Sequence, residues 1–291
     1  MIALDSIRIS TLMENTSTDS GILGEWGLSM FVETPGLKFL VDTGPGESIG
    51  KNIDTMKIDL TGTGLIVLSH GHYDHTGGLP TVLERIGKPV RVLAHPSALK
   101  STYGRDRDTG DIHYAGVPHR TEFLENLGAR FEFSAEPTWL SDDIVVSGEE
   151  PMETDFETVA SDLIVPHGDG YAPDSMPDDQ SVFIRSDRGL VVILGCAHRG
   201  MINIVRYARR LMKTDTVYLV LGGTHLGPAS PEQLARSIDE LKRMDVQWIG
   251  VSHCTGPAAS AELRHVFGSR FFFNNAGTVV TLPLERKPGA R

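Results

Sequence analysis

The chain reads as a layered α/β protein on three observations. Apolar, β-branched runs alternate with segments of helical period, four such runs end in a loop carrying histidine, and one of those loops holds four metal-capable side chains within six positions. Its 291 residues can bury a sizeable core, and with no repeat or low-complexity linker a single domain is the economical organisation. Ile7 to Leu12 and Ser29 to Glu33 read as strands, and Lys38-Phe39-Leu40-Val41 is a third that enters the turn cluster Asp42-Thr43-Gly44-Pro45-Gly46. Leu65-Ile66-Val67-Leu68 is a buried strand and Leu79 to Ile86 a short helix, so the segment between them is a strand-to-helix loop. Val90 to Pro96 repeats the pattern of strand, then site-like loop. From Ser101 to Thr158 the pattern loosens to a helix at Arg120 to Leu127 and short strands at Arg130 to Phe133 and Ile144 to Val146, and an insertion or lid is expected. Order returns with a hairpin, Gln180 to Arg185 and Gly189 to Leu194. Helix Met201 to Met212, strand Thr216 to Leu221, helix Pro231 to Arg243 and strand Gln247 to Val251 follow, with Ser230 capping the second helix and Pro231 in its first turn. Phe271 to Phe273 and Thr278 to Leu282 are closing strands.

The richest loop is Ser69-His70-Gly71-His72-Tyr73-Asp74-His75-Thr76-Gly77-Gly78. Imidazoles with a carboxylate suit zinc first, and iron or manganese as well. Gly71, Gly77 and Gly78 are expected to give the backbone the conformations that let His70, His72, Asp74 and His75 converge. The loops beginning at His198, His225 and His253, with His95 a further candidate, also stand at strand ends, which gather at one edge of a layered sheet protein. Together these donors exceed one tetrahedral zinc and fit two ions sharing a water, a dinuclear hydrolytic centre.

Bulk composition limits the partners. With 27 basic and 38 acidic residues the formal net charge is -11, which argues against a surface built for nucleic-acid phosphates or anionic lipid. A small-molecule substrate is expected, with no nucleic acid and no membrane, and a homo-oligomer is compatible with the sequence. The first residues lack a basic segment followed by an apolar run, and no later stretch approaches a membrane-spanning length, so a soluble cytoplasmic protein is expected. Cys196 and Cys254 are too few for a disulfide scaffold and read as reduced thiols.

His-x-His-x-Asp-His after a buried strand, preceded by Leu40-Val41-Asp42-Thr43-Gly44, resembles the metallo-β-lactamase fold superfamily over nearly the whole chain. The resemblance implies an αββα sandwich, two mixed β-sheets face to face between outer helices, with metals at one edge. It implies that His70 and His72 serve one ion, that Asp74 and His75 serve the second, and that Asp42 supports the site without ligating. Gly195-Cys196-Ala197-His198-Arg199-Gly200, Gly222-Gly223-Thr224-His225-Leu226 and His253-Cys254-Thr255-Gly256 together resemble the branch of dihydropterin ribofuranosylaminobenzene phosphate synthases, linked to methanopterin-type cofactors. A phosphorylated, pterin-type small molecule is the substrate that this implies.

The chain departs from the commoner superfamily pattern at two places. Pro177-Asp178-Asp179-Gln180-Ser181 stands where a further histidine motif belongs, and Cys196 or His198 stands where a metal-bridging aspartate belongs. A thiolate at Cys196 coordinates zinc or iron, whereas a buried neutral thiol packs as a small apolar residue; we read it as the latter and take His198 as the ligand from this loop. His167 is either a further ligand or a turn residue. His225 and His253 resemble a pair in the superfamily's transfer-RNA processing endonucleases, which implies that His253 is a ligand and His225 a proton donor or substrate contact. His95 reads as a rim residue, while His113, His119 and His265 receive no role. Trp26, in a block shared with the same branch, either walls the cleft or packs over a sheet edge; Asn15 is left open, and Arg199 is either an anion contact or a surface residue. The expected activity is metal-dependent hydrolysis of an ester, phosphoester or related bond, with Asp74 orienting water and His225 meeting the leaving group. The alternative is an iron-binding redox or sensor protein that uses Cys196 and hydrolyses nothing.

Overall fold

In the computed structural model, which describes residues 1–17 and 19–285, the first half of the chain lays down one sheet. Strands β1 (Arg8–Met13), β2 (Ser29–Thr34) and β3 (Leu37–Val41) form an antiparallel meander. Helix α1 (Ile49–Met56) leads to β4 (Leu65–Val67), and α2 (Tyr73–Thr76) with α3 (Leu79–Ile86) leads to β5 (Val90–Ala94). Because helices make these crossovers, β4 and β5 run parallel to β3. β6 (Tyr103–Arg105) and β7 (Ile112–Tyr114) leave the sheet, α4 (Thr121–Asn126) returns to it, and β8 (Ala129–Phe133) pairs with β5. β9 (Thr138–Ser141) and β10 (Ile144–Val146) open the second sheet, whereas β11 (Leu163–His167) and β12 (Gly170–Pro173) join β6 and β7 in a small third one. The second sheet continues with β13 (Val182–Ser186), β14 (Gly189–Leu194), α5 (Met201–Leu211), β15 (Val217–Gly223), α6 (Pro231–Arg243), β16 (Trp248–Ser252), α7 (Gly256–Phe267) and β17 (Phe271–Phe273). β18 (Val279–Thr281) crosses back to pair with β1.

Side-chain alternation along the strands assembles these sheets into a sandwich. Leu190, Val192 and Leu194 of β14 pack outward against Ile202, Val205, Leu241 and Leu263 of α5, α6 and α7. Their neighbours Val191 and Ile193 point the other way and meet Phe39, Val41 and Val67 of the first sheet. Ile66 and Leu68 lie beneath Ile49, Leu79 and Leu83 of α1 and α3. Each such side chain, taken from water, contributes about 1.5–3 kcal/mol, and the arrangement is an αββα sandwich of two seven-stranded mixed sheets. Ser230 caps α6 as its sequence suggests, its hydroxyl accepting from Gln233 N at 3.1 Å.

The stretch 101–158 is not one insertion or lid. β8 extends the first sheet and β9 and β10 belong to the second, so only β6, β7 and the irregular segments around them stand apart. Among the described residues no helix is long and apolar enough to cross a membrane.

Candidate metal centre

The parallel strands β4, β14, β15 and β16 all end at one edge, and the residues that follow them deliver His70, Cys196 with His198, His225 and His253 to one place. His70 Nε2 lies 3.0 Å from His72 Nδ1 and 3.3 Å from His198 Nε2. Beside this trio, Asp74 Oδ2 is 3.2 Å from His253 Nε2 and 4.0 Å from His75 Nε2. The Cys196 sulfur is 3.1 Å from His75 Nε2 and clusters with donors of both His70 and His75, so it lies between the two sets. The thiol was expected to pack as a small apolar group; although buried, it faces the donors instead.

Neighbouring groups settle which ring nitrogens carry protons. The Asp42 carboxylate accepts from Ser69 N at 2.7 Å, from Ser69 Oγ at 2.6 Å and from His75 Nδ1 at 2.7 Å. Ser69 Oγ has thereby spent its single proton, so at 2.9 Å it must accept from His70 Nδ1. Asn15 Oδ1 accepts from Gly27 N at 3.1 Å and from His253 Nδ1 at 2.8 Å, with the Asn15 amide turned to the His253 carbonyl. His70, His75 and His253 therefore all spend Nδ1 on these bonds and turn Nε2 toward the centre, which is how metal-binding imidazoles are held. A proton on His72 Nδ1 can serve one contact of its trio but not all of them. One cation satisfies the set, since nitrogens around a tetrahedral zinc stand about 3.3 Å apart. The residues present thus fit divalent ions.

Electrostatics agree. Burial drives His70 and His198 well below the ordinary histidine range and lowers His72, leaving neutral imidazoles. His75 is the exception: burial opposes its charged form, but Asp42 and Asp74 outweigh it and raise the group to about 9, so a cation binding there must displace the Nε2 proton. For Asp74, burial works against the carboxylate, yet His75, His253 and His72 hold it well below its usual value.

Backbone strain gathers here too. Of the eight non-glycine residues at positive φ among the described residues, four belong to the site: Asp42, Ala197, His225 and His253. Each such conformation costs of order 1 kcal/mol and persists only where surroundings dictate it. The three motif glycines are needed for a different reason from the one expected. None is among the positive-φ residues; instead a Cβ on Gly71, Gly77 or Gly78 would collide with the carbonyl oxygen of Ala98, Pro45 or Thr43 respectively. Gly71→Ala is accordingly expected to cost at least about 2 kcal/mol in chemical denaturation, because backbone, not a flexible side chain, must move.

Pro177–Ser181, which has no histidine to offer, clamps the two metal-bearing loops together. Asp178 Oδ2 accepts from Gly71 N at 2.8 Å, Asp179 Oδ2 accepts from Arg199 N at 2.8 Å, and Gln180 donates to the carbonyls of Ser69 and Leu68. These supports, with Ser69 and the Glu14 carboxylate that accepts from His253 N at 2.7 Å, carried no recognised sequence signal beyond a polar run before a strand.

Other candidates fall outside. His167 is exposed at the β11–β12 turn and joins no donor set, and His95 is buried but spends Nδ1 accepting from Ser97 N. Arg199 is tied to Glu149 at 3.2 Å and to the Ser175 carbonyl, so it is not a free anion contact. Trp26 is largely exposed and stands edge-on to His253, with ring centroids 5.0 Å apart, so it walls the cleft. His225 is half-buried, its ring centroid 4.3 Å from that of His198 and its backbone N–H directed at Cys254 Sγ, and it faces the cleft without entering either donor set.

Comparison with known proteins agrees with this geometry. Residues 27–253 match the family model of the metallo-beta-lactamase superfamily. The chain is 31% identical over 288 residues to a 7,8-dihydropterin-6-methyl-4-(beta-D-ribofuranosyl)-aminobenzene-5'-phosphate synthase of Methanocaldococcus jannaschii, covering 95% of this chain and 97% of that one. It is similar to the crystal structure of Tm1679, described as a metal-dependent hydrolase of the beta-lactamase superfamily, with TM-score 0.81, 26% identity and 94% and 98% of the two chains covered. The short form of human tRNase Z shares the fold alone, at TM-score 0.52 and 13% identity over 95% of this chain and 100% of that one. With the family match spanning most of the sandwich and both donor sets formed at its edge, the chain belongs to the metallo-β-lactamase superfamily.

Proposed function

We propose that this protein is a metal-dependent hydrolase of a small molecule, cleaving an ester, phosphoester or related bond. Two divalent ions are proposed, zinc first and iron or manganese also suited: one held by His70, His72 and His198, the other by Asp74, His75 and His253, with Cys196 shared. The observation that carries this reading is the pair of adjoining donor sets whose lone pairs are aimed by buried neighbours. When bound, such ions make water more acidic and polarise the bond under attack. Asp74, ionised within the second set, orients the attacking water. His225 is held at about 4 by burial and by His72 and His253, so its neutral ring offers an N–H to the leaving group or to developing negative charge. The name of the archaeal relative supports a phosphorylated pterin-type substrate. The net charge of -11 supports a small molecule over nucleic acid, and reduced Cys196 and Cys254 support a cytoplasmic setting.

Turnover of a phosphoester and lactone panel by metal-loaded protein tests the proposal, and failure on every member counts against hydrolysis. His225→Ala is expected to lower kcat by roughly 10²- to 10⁴-fold at unchanged metal content; an unaltered kcat removes His225 from the mechanism. A second reading, an iron-binding redox or sensor protein, draws on the Cys196 sulfur facing His75. Stoichiometric iron with a thiolate charge-transfer band and no hydrolysis would favour it.

A further inference from the structure

Hydrolysis at the two donor sets leaves Cys254 without a task, although it stands at the centre. Cys196 follows β14 and Cys254 follows β16, and β15 lies between those strands. The two cysteine loops meet over the end of β15 because Gly223 has no side chain. A Cβ there would stand 2.8 Å from Cys254 Sγ, 3.3 Å from Cys196 Cα and 2.5 Å from the Gly195 carbonyl oxygen.

This meeting creates a donor set distinct from those of the hydrolytic reading. The sulfurs of Cys196 and Cys254 and a ring nitrogen of His253 all lie within 4.8 Å of one another. His253 Nδ1 is held by Asn15, so the nitrogen on offer is Nε2. Two thiolates on a tetrahedral zinc stand about 3.8 Å apart, and longer metal–sulfur bonds spread them further, so a cation fits between these side chains. Cys254 Sγ accepts the His225 N–H at 3.3 Å, a contact that favours negative charge on the sulfur. Its own proton faces the Cys196 carbonyl at 3.3 Å, a weak bond that is lost at little cost. His253 and Cys254 also line a chamber of about 880 Å³ beside Trp26, which gives an ion its way in.

Hardness separates the sets. Two sulfurs and an imidazole select soft ions, whereas the carboxylate and imidazoles of Asp74, His75 and His253 also accept hard ones such as manganese. His253 Nε2 serves both and has one lone pair, so both cannot be filled at once.

We propose that Cys196, Cys254 and His253 form a site for a thiophilic cation, which competes through His253 with the Asp74 set. Filling it joins one divalent ion to two sulfurs and one nitrogen and releases two thiol protons to solvent, with no change of oxidation state. Only the competition rests on the metal reading proposed above; ligation by Cys254 requires no turnover.

Cadmium titrated into the reduced, metal-free full chain tests this through its sulfur-to-metal charge-transfer absorbance. Cys254→Ser should halve the band at saturation and weaken cadmium binding roughly tenfold, and Cys196→Ser with Cys254→Ser should abolish the band. Cys254→Ala, which keeps a small side chain without a donor, should behave as the serine variant does. A band of full strength in both Cys254 variants, or bound cadmium without a band in the unaltered protein, would overturn the assignment. Manganese binding in Cys254→Ser should match that of the unaltered protein, which checks that the fold and the harder set are intact. In competition dialysis the unaltered protein should lose one of two manganese ions at roughly tenfold less cadmium than Cys254→Ser requires. Equal displacement in the two proteins would overturn the competition. A chain that holds no manganese yet shows the halved band would refute the Asp74 set and support the sulfur site.

Discussion

Replacing His70 and His72 together by alanine is expected to abolish metal-dependent turnover, by roughly three orders of magnitude or more, while the sandwich still folds. The two rings supply two of the three imidazoles of the first set, and His198 with the neighbouring Cys196 sulfur leaves too few donors for a zinc site. Folding should survive because the strand beneath them, Leu65 to Leu68, draws its stability from the core on both of its faces. Circular dichroism should therefore remain native, while the thermal shift that added zinc gives the unaltered protein shrinks, since a ligand stabilises only the state that binds it. Full activity in the folded double variant would remove the first donor set from the mechanism.

Asp42 carries the second large effect. Its fully buried carboxylate accepts from two groups of Ser69 and from His75, and it sits at a φ of 60°. Alanine there strands three buried donors and keeps an unfavourable backbone, so a loss of about 3–5 kcal/mol is expected in denaturant unfolding. Metal affinity should fall roughly 10- to 100-fold as well, because His75 and His70 lose what fixes their proton-bearing nitrogens. Asp42→Asn separates the contributions. It tolerates the left-handed backbone and retains one acceptor, but presents an amide to a remaining donor, so its stability should lie between those of the alanine variant and the unaltered protein. Equal metal affinity in all three proteins would show that Asp42 supports the fold and not the ligands.

Legibility in the sequence followed physical signal strength. Strands buried on both faces, such as Gly189–Leu194, announce themselves as unbroken apolar runs, and α6 is marked by its Ser230-Pro231 start. Edge and exposed strands do not. Ile112–Tyr114 is exposed throughout and Ala129–Phe133 is mostly so at its far end, which is why the span from 101 to 158 looked like an insertion although β8 completes a sheet. Helices α1 and α7 carry weak sequence signals, for α1 rests on little more than Ile49 and Ile53, and α7 is diluted by glycine, proline and small residues. At the site, residue type and spacing were enough to nominate His70, His72, Asp74, His75, His198 and His253, all of which the fold gathers. The supporting bonds from Asn15, Ser69, Asp178 and Asp179 depend on loops distant in the chain, and no local pattern encodes them.

Metal stoichiometry under equilibrium dialysis tests the central claim most directly, because it asks whether histidines remote in sequence act as one centre. The unaltered protein should hold two divalent ions, and His253→Ala should hold one. Failure to bind any divalent ion stoichiometrically, or an unchanged content in His253→Ala, would contradict the account.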